Sequence, residues 1–563
     1  MTRKLREVIA GLLGLFIVIG GLVASTTPSQ ATTTPAVVVS TALLPSTGLN
    51  PAANGPLIIS STACPTASWC TAVGQYPSAS GPQLFEGILQ HGSWTLHNVS
   101  VSSLTPAATG FGIQYGSEYA FLHMSCASTS YCLAAGTYDS SGAFLAFNLI
   151  YDNGNWTVAN IPSTIVSGIS SVPTGVSCTA PGVCVASGIA VDLGSSSAQN
   201  YVATLASGVW TITAVGSSFP TTGPGSGIFL FIALASTNTI SCSSSTSCTF
   251  AGLGVSGGFV STLANGVWNT TQLPLVGSST VVLVPVGISC PSSNSCTAVG
   301  WILDNTFNPS GSFTSTLANG AWTTTRFPTA GITGNQGIPL AIACPAVGSC
   351  VIAGQSEGSS VYQVFVSTLA NGVWSNQMVP TTNLPSTVTS MWPVSVSCPV
   401  AQHCVVASSA VDSSSAVVDS FLANVDTAPP SPSNVRAVPK VHAATVSWTG
   451  SQVATRYVAT ASPGGAHCTT TSTSCVISGL KSGQAYSVSV TASNAVGTSD
   501  SSSVATVTPS AAPTTTTTPN ELPKTGSSSE TLVMVSGFLI ALGMTSLLTL
   551  NKRRRRVAVA NHA

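Results

Sequence analysis

The sequence predicts an all-β protein: a seven-bladed β-propeller followed by a β-sandwich, with an apolar helix expected near each chain end. Three observations support this fold class. Only 5% of the 563 residues are Asp, Glu, Lys or Arg, and surface helices normally need charged outer faces. A cysteine pair with five intervening residues recurs seven times, at intervals of 48 to 64 residues. A complete repeat contains four short segments with strand character, which is the content of one propeller blade.

The charge distribution argues against nucleic-acid binding. The formal net charge is zero, and Arg326 is the one cation between residues 46 and 425. Binding to a phosphate backbone depends on neutralising several phosphates with Lys and Arg. We therefore expect no nucleic-acid partner.

Residues 1–31 have the pattern of a secretory signal peptide. A basic start, an apolar run and small residues at a cleavage position follow one another, at Arg3, Lys4 and Arg6, Val8 to Val23, and Ser29-Gln30-Ala31. We predict cleavage after Ala31, with Ala24 and Ser25 as alternative positions. An uncleaved anchor helix is the other interpretation of this segment.

The C-terminal end combines three features in a fixed order. The pentapeptide LPKTG is followed by an apolar segment at 531–550 and a basic tail at 551–563 with the cluster Lys552–Arg556. Twenty largely apolar residues can span a bilayer, and a basic cluster holds its end in the cytoplasm. A permanent membrane anchor is the alternative to a processed one.

This order resembles the cell-wall sorting signal of Gram-positive surface proteins. The resemblance rests on the motif residues Leu522, Pro523, Lys524, Thr525 and Gly526. It implies that sortase cleaves between Thr525 and Gly526 and joins Thr525 to peptidoglycan, so that the chain is held in the membrane only before sorting. We expect a wall-anchored, extracellular location on a Gram-positive bacterium, and an actinobacterium as its source.

One repeat shows the local structure of all seven. In residues 287–327, "GISC" predicts an inner strand a, and "CTAVGW" predicts strand b after a turn of Pro, Ser and Asn. "FTSTLA" predicts strand c, the Asn-Gly pair predicts a hairpin turn, and "AWTTTRF" predicts strand d. Similar "STLANGVW" segments occur at 261–268 and 367–374.

The repeat count predicts how the ring closes. Seven cysteine pairs occur, but only six repeats reach the Asn-Gly-x-Trp type of segment, because the seventh stops at "SFLANV" (420–425). Residues 37–45, "VVVSTALLP", have the length and alternation of strand d. We therefore predict a propeller over residues 32–425 in which 37–45 supply the outer strand of blade 7, which removes the exposed edges of an open array.

The Gly-x-Trp hairpins resemble the Asp-box repeats of sialidase-type propellers. In "YDNGNW" the chain keeps the aspartate, Asp152, whereas the other repeats lack it and the Gly-to-Trp spacing is two rather than three. The resemblance implies the blade architecture and does not carry over sialidase activity.

Residues 426–508 form a different module. Alternation in "YSVSVTA" predicts a strand of a sandwich. The module resembles a fibronectin type III domain in Trp448, in Leu480, Gly483 and Tyr486, and in the segment from Ala492 to Gly497. Its two cysteines bracket "TTTSTS" and predict a local hairpin disulfide. The Thr/Pro-rich residues 509–521 predict an extended linker.

The cysteines predict disulfides. Secretion places them in an oxidising compartment, no histidines accompany them as zinc ligands, and no Cys-x-x-Cys redox motif occurs. Each bridge closes a small loop and stabilises by about 2 kcal/mol through the lost entropy of the unfolded chain. We expect no metal and no cofactor. The predicted pairs are Cys64–Cys70, Cys126–Cys132, Cys178–Cys184, Cys242–Cys248, Cys290–Cys296, Cys344–Cys350, Cys398–Cys404 and Cys468–Cys475.

Acidic residues provide the candidate site. Five repeats place a carboxylate seven or eight residues after the second cysteine, at the predicted b–c hairpin tips: Asp139, Asp192, Asp304, Glu357 and Asp412. The long d–a connections at 105–121 and 221–234 belong to the same face. Solvation of loop tips is one explanation. A site for a cation or cationic ligand is another, and a sugar site with Phe111, Tyr115 and Tyr119 as stacking surfaces is a third.

These features favour a binding or adhesion protein with an extracellular glycan or protein ligand. Carboxylates spread over separate blades do not provide the close pair that glycoside hydrolysis needs, so we find no catalytic residues. A carbohydrate-active enzyme on the propeller and a purely structural surface protein are the alternatives. We expect a monomer.

Overall fold

A computed structural model describes residues 37–511, with gaps in the connections, of which the longest are 112–121, 163–169 and 221–238. Among these residues, no helix is long and apolar enough to cross a membrane. The predicted signal peptide, the sorting motif and the apolar segment at 531–550 lie outside the described residues.

Seven antiparallel sheets form the blades; five have four strands, and those of blades 2 and 3 have an additional two-residue strand. The first strand of the chain is β1 (Val37–Leu43), and blade 1 consists of β2 (Ile58–Thr66), β3 (Trp69–Ser78), β4 (Gly81–Gln90) and β5 (Ser93–Val99). Blade 2 has β6 (Gly110–Phe111), β7 (Leu122–Ser128), β8 (Tyr131–Ser140), β9 (Ala143–Asp152) and β10 (Asn155–Asn160). Blade 3 has β11 (Ser170–Ala180), β12 (Val183–Asp192), β13 (Ser197–Ala206), β14 (Val209–Ala214) and β15 (Phe219–Pro220).

The remaining blades follow the same order. Blade 4 has β16 (Ile240–Ser244), β17 (Ser247–Gly254), β18 (Gly257–Ala264) and β19 (Val267–Gln272). Blade 5 has β20 (Val282–Ser292), β21 (Ser295–Leu303), β22 (Pro309–Ala318) and β23 (Ala321–Arg326). Blade 6 has β24 (Gly337–Ala346), β25 (Ser349–Glu357), β26 (Tyr362–Ala370) and β27 (Val373–Met378), and blade 7 has β28 (Ser390–Val400), β29 (His403–Val411) and β30 (Val417–Thr427).

The ring is closed. Each inner strand a packs against the inner strand of the next blade, from β2 through β7, β11, β16, β20 and β24 to β28, and β28 packs against β2. The outer strand of blade 7 is β1, which pairs antiparallel with β30 from Val37 opposite Thr427 to Leu43 opposite Phe421. The strand near the N-terminus therefore completes the blade that the end of the repeat region begins.

Proline marks the inner strands as edges. Four blades have a proline at the same position of strand a, and each of these prolines lies at a register shift against strand b. They are Pro173, Pro285, Pro339 and Pro393. Proline has no N–H to donate to a ladder and is therefore confined to edge strands and bulges. This position suits a strand with one side paired to its blade and the other facing the ring axis.

A glycine–aromatic pair repeats inside the blades. In blades 1 to 6 a glycine of strand b lies directly opposite an aromatic residue of strand c, such as Gly74 opposite Phe85 and Gly300 opposite Phe313. A Cβ added to Gly300 would lie 2.7 Å from Cε1 of Phe313. The missing side chain thus makes room for a fully buried ring, which accounts for the glycine of strand b in segments such as "CTAVGW".

The seven blade disulfides form as predicted. Each joins strands a and b of one blade, with Cα atoms 3.9 to 4.1 Å apart. Cys126 and Cys132, for example, are direct cross-strand neighbours. The described residues contain no free cysteine.

The sandwich consists of two sheets. One has the order β31 (Ser433–Lys440), β32 (Ala443–Thr449) and β35 (Ser474–Ser478). The other has the order β34 (His467–Thr470), β33 (Arg456–Ser462), β36 (Tyr486–Ser493) and β37 (Ala505–Val507). Trp448, Tyr457 and Tyr486 are buried between them.

The prediction of a local hairpin for the last disulfide is wrong. Cys468 and Cys475 are bonded, with Cα atoms 6.2 Å apart, but they belong to β34 and β35, which lie in different sheets. The chain crosses from one sheet to the other between them. The bridge therefore ties the two layers of the sandwich together.

Serine hydroxyls join neighbouring blades around the ring axis. The residue before the first cysteine is serine in five repeats, and its Oγ accepts a hydrogen bond from the backbone N–H of the first cysteine in the next blade, at 2.8 to 3.0 Å. The acceptors, here called the serine belt, are Ser125, Ser177, Ser241, Ser289 and Ser397. Alanine occupies this position in the other two repeats, at Ala63 and Ala343.

The serine belt predicts opposite effects of two substitutions. Ser289→Ala removes the acceptor for Cys344 N–H and should lower the free energy of unfolding by about 1 to 2 kcal/mol, because a donor is left without its partner. Ala343→Ser supplies an acceptor at the equivalent position and should raise it by up to about 1 kcal/mol. Denaturant unfolding measures both, with Ser293→Ala in an exposed turn as the control. Equal effects of Ser289→Ala and Ser293→Ala would contradict the assignment.

Candidate functional site

The strand order gives the ring two different ends. The a–b turns with their disulfides and the c–d turns lie at one end, here called the disulfide end, whereas the b–c tips and the d–a connections lie at the other, the loop end. This follows from the alternating directions of four antiparallel strands in every blade.

The five candidate carboxylates lie where strand b ends. Asp139, Asp192 and Glu357 are within the last two residues of β8, β12 and β25. Asp304 and Asp412 directly follow β21 and β29. They therefore belong to the loop end, one each from blades 2, 3, 5, 6 and 7. Among the described residues, no three His, Cys, Asp or Glu side chains are grouped so that they could hold a metal ion.

Asp304 closes its own loop. Its Oδ1 accepts hydrogen bonds from the backbone N–H of Thr306 at 2.8 Å, from the Thr306 hydroxyl at 2.7 Å and from the backbone N–H of Asn308 at 2.9 Å. These bonds, the Thr306 hydroxyl first, lower the pKa of Asp304 below its usual value. The carboxylate thus organises the b–c tip of blade 5 and is already engaged at this oxygen.

Phe111 is a core residue and not a stacking surface. It forms part of β6, which pairs with the end of β8. Its ring is 7% exposed and packs against Phe147 with centroids 5.9 Å apart. The exposed aromatic face expected from the sequence is therefore not available at this residue. Tyr115 and Tyr119 lie outside the described residues.

A buried acid that the sequence did not indicate lies in the outer part of blade 1. Glu86 of β4 is 5% exposed, and its Oε1 lies 2.9 Å from Nδ1 of His97 in β5. Burial raises the pKa of Glu86, against the opposing effect of His97. The two residues are direct cross-strand neighbours, a pairing that the length of the c–d hairpin could have indicated.

The ring axis contains a neutral cavity of ≈ 230 Å³ towards the disulfide end. All seven inner strands line it, and the serine belt contributes five hydroxyl groups. No lining residue is charged. Such a cavity has room for several waters and offers no group for acid–base chemistry. The serine before the first cysteine in five repeats was the sequence signal for it.

Two family matches bear on the identity of the chain. Residues 429–508 match the Fibronectin type III domain, and residues 514–557 match the LPXTG cell wall anchor motif. The chain is a cell-wall-anchored surface protein. Its anchor implies covalent attachment to peptidoglycan by sortase and an extracellular location on a Gram-positive cell.

Solved structures similar to this surface protein are distant. Polysaccharide lyase Uly1 aligns over 66% of this chain and 89% of its own, with 9% identity and a TM-score of 0.38. The alpha-L-arabinanase of Penicillium chrysogenum aligns over 57% and 99%, with 11% identity and a TM-score of 0.33. Titin kinase with its flanking domains aligns over 14% of this chain and 17% of its own, with 17% identity and a TM-score of 0.13.

No curated protein matches this surface protein. With identities and TM-scores this low, its activity has to be argued from its own residues.

The hydrogen bonds of Asp304 predict a pH-dependent loop. Because its pKa is lowered in the folded state, its contribution is present at neutral pH and is lost as the pH falls through that lowered value. Amide exchange of Thr306 and Asn308 should therefore lose protection on acidification. Asp304→Asn keeps an acceptor oxygen without a titrating group, so its protection should not depend on pH. Equal protection in wild type and Asp304→Ala at neutral pH would contradict this role.

Proposed function

We propose that this protein displays its propeller above the cell wall as a binding or adhesion protein, with a glycan or protein ligand held at the loop end. The observation that carries the proposal is the common placement of the b–c tips. Five blades contribute one acidic residue each to the same end of a closed ring. Loops on a rigid scaffold are the usual place for binding residues.

The sandwich serves as a spacer between the propeller and the wall. At one end, Asn494 Nδ2 donates a hydrogen bond to the carbonyl oxygen of Thr427, the last residue of β30. At the other end, the backbone N–H of Ser510 donates to the carbonyl oxygen of Lys440, the last residue of β31. The chain therefore enters the module beside the propeller and leaves it at the far end of β31.

The domain layout is part of this proposal. Signal removal after Ala31 releases the propeller of residues 32–425 and the sandwich of residues 426–508 outside the cell. Sortase then cleaves the motif at 522–526 between Thr525 and Gly526, and the segment at 531–550 with the basic tail holds the chain in the membrane until that step. The linker's Thr/Pro composition supports an extended spacer.

A carbohydrate-active enzyme is the second candidate. Its requirement is a pair of carboxyl groups about 5 to 10 Å apart that flank the scissile bond. The loop-end carboxylates come from separate blades, and Asp304 is engaged within its own loop. These features favour binding over catalysis.

The binding proposal predicts that charge at the loop end matters. Residues 32–511, screened on arrays of glycans and extracellular matrix proteins, should bind at least one class of ligand. A variant that neutralises four loop-end carboxylates should weaken that binding by about tenfold or more, since hydrogen bonds to charged groups contribute roughly 1.5 to 3 kcal/mol. Its substitutions are Asp139→Asn, Asp192→Asn, Glu357→Gln and Asp412→Asn.

The control removes acidic groups elsewhere. Asp152→Asn at a c–d turn and Asp500→Asn in the sandwich should leave the affinity unchanged. Absence of any ligand, or equal loss in the control, would overturn the proposal. Release of reducing sugar from a bound glycan would favour the enzyme instead.

A further inference from the structure

The rim of blades 3 to 5 has unprotected sheet edges. The strands β14, β19 and β23 are each the last strand of their sheet. Their residues are mostly exposed, including Val209 at 65% and Val267 at 60%. They pair with strand c without a register shift, so no bulge bends these edges. We call these three strands the open rim.

The other rim strands are partly covered. In blade 1, Leu96 and Val99 of β5 are buried. In blade 2, Asn160 of β10 donates to the carbonyl oxygen of Thr105 in the preceding connection at 3.0 Å. In blade 6, Asn376 of β27 donates to the carbonyl oxygens of Pro328 and Ala330 at 2.8 and 2.9 Å. The open rim therefore differs from the rim strands of blades 1, 2 and 6.

The amino-acid composition of the open rim favours pairing with another strand. The open rim reads VWTITA, VWNTTQ and AWTTTR, with no proline and one charged residue. That residue, Arg326, donates from its guanidinium to the carbonyl oxygen of Ser310 in its own blade. Natural edge strands are usually protected by Lys, proline or bulges, and β-branched residues such as Thr and Val favour strand pairing.

We infer that the open rim is an interaction surface at which neighbouring copies of this chain associate by antiparallel edge-to-edge pairing. A strand that pairs with the same strand of a second copy is self-complementary, as a two-fold interface requires. The formal net charge of zero provides no long-range repulsion between copies. Attachment to one wall also holds copies at a high effective concentration. This contact uses the rim and not the loop end, and it replaces the monomer expected from the sequence.

Sedimentation velocity tests this inference. Secreted residues 32–511 are measured at increasing concentration up to about 1 mM, which is the effective concentration that a short tether provides. The wild type should form concentration-dependent dimers or larger species. Thr211→Lys, Thr271→Lys and Thr323→Lys together place a charge on each open edge and should keep the chain monomeric. The matched control adds the same charge to three of the other rim strands, with Ser40→Lys, Thr95→Lys and Ala159→Lys, and should still associate.

A second measurement does not depend on variants. Amides of residues 209–214, 267–272 and 321–326 should gain protection from hydrogen exchange in concentrated wild-type protein relative to dilute protein. A wild type that stays monomeric throughout would overturn the inference, as would equal dissociation of both lysine variants. Binding of purified wall glycan by the monomer, lost in the open-rim variant, would likewise overturn it and assign these edges to a wall polymer.

Discussion

Pairing of β1 with β30 is the interaction on which the rest of the structure depends. Each hydrophobic cluster of the propeller that spans two blades needs both of them: Phe85 and Ile59 of blade 1, for example, pack with Val405 and Leu422 of blade 7. A gap at any seam would expose two apolar faces. Because the chain enters and leaves the ring in the same blade, the last seam is held by backbone hydrogen bonds along a whole strand.

Neutral groups hold this ring together in place of ion pairs. Two His–carboxylate contacts, His97–Glu86 and His403–Asp426, are the salt bridges found among the described residues. The inner seams instead use serine hydroxyls that accept backbone N–H groups, and each a–b hairpin is closed by a disulfide. A hydroxyl satisfies a buried donor without the desolvation cost of a charge. This explains how a chain with 5% charged residues keeps its seams specific.

Repeated local signals made much of the fold predictable from the sequence. Cysteine spacing and Asn-Gly turns are short-range signals, so they fixed the hairpins, and the missing outer strand of the seventh repeat indicated closure through residues 37–45. Long-range contacts were not readable. The spacing of Cys468 and Cys475 suits a hairpin and a sheet crossing equally. Phe111 lies in a long connection of the sequence, and only its pairing with β8 makes it a core residue. The serine belt depends on which blades are neighbours. At the site, the spacing predicted the positions of the carboxylates at the strand ends, but the hydrogen bonds within the Asp304 loop depend on local backbone geometry that the spacing does not indicate.

Removal of the closing strand tests the central claim most directly. Differential scanning calorimetry would compare residues 32–511 with a variant that lacks residues 37–43. If closure through β1 supports all seven blades, the propeller transition should disappear or move to a much lower temperature as a whole, while the sandwich transition stays in place. A propeller transition of unchanged temperature and enthalpy would contradict the account.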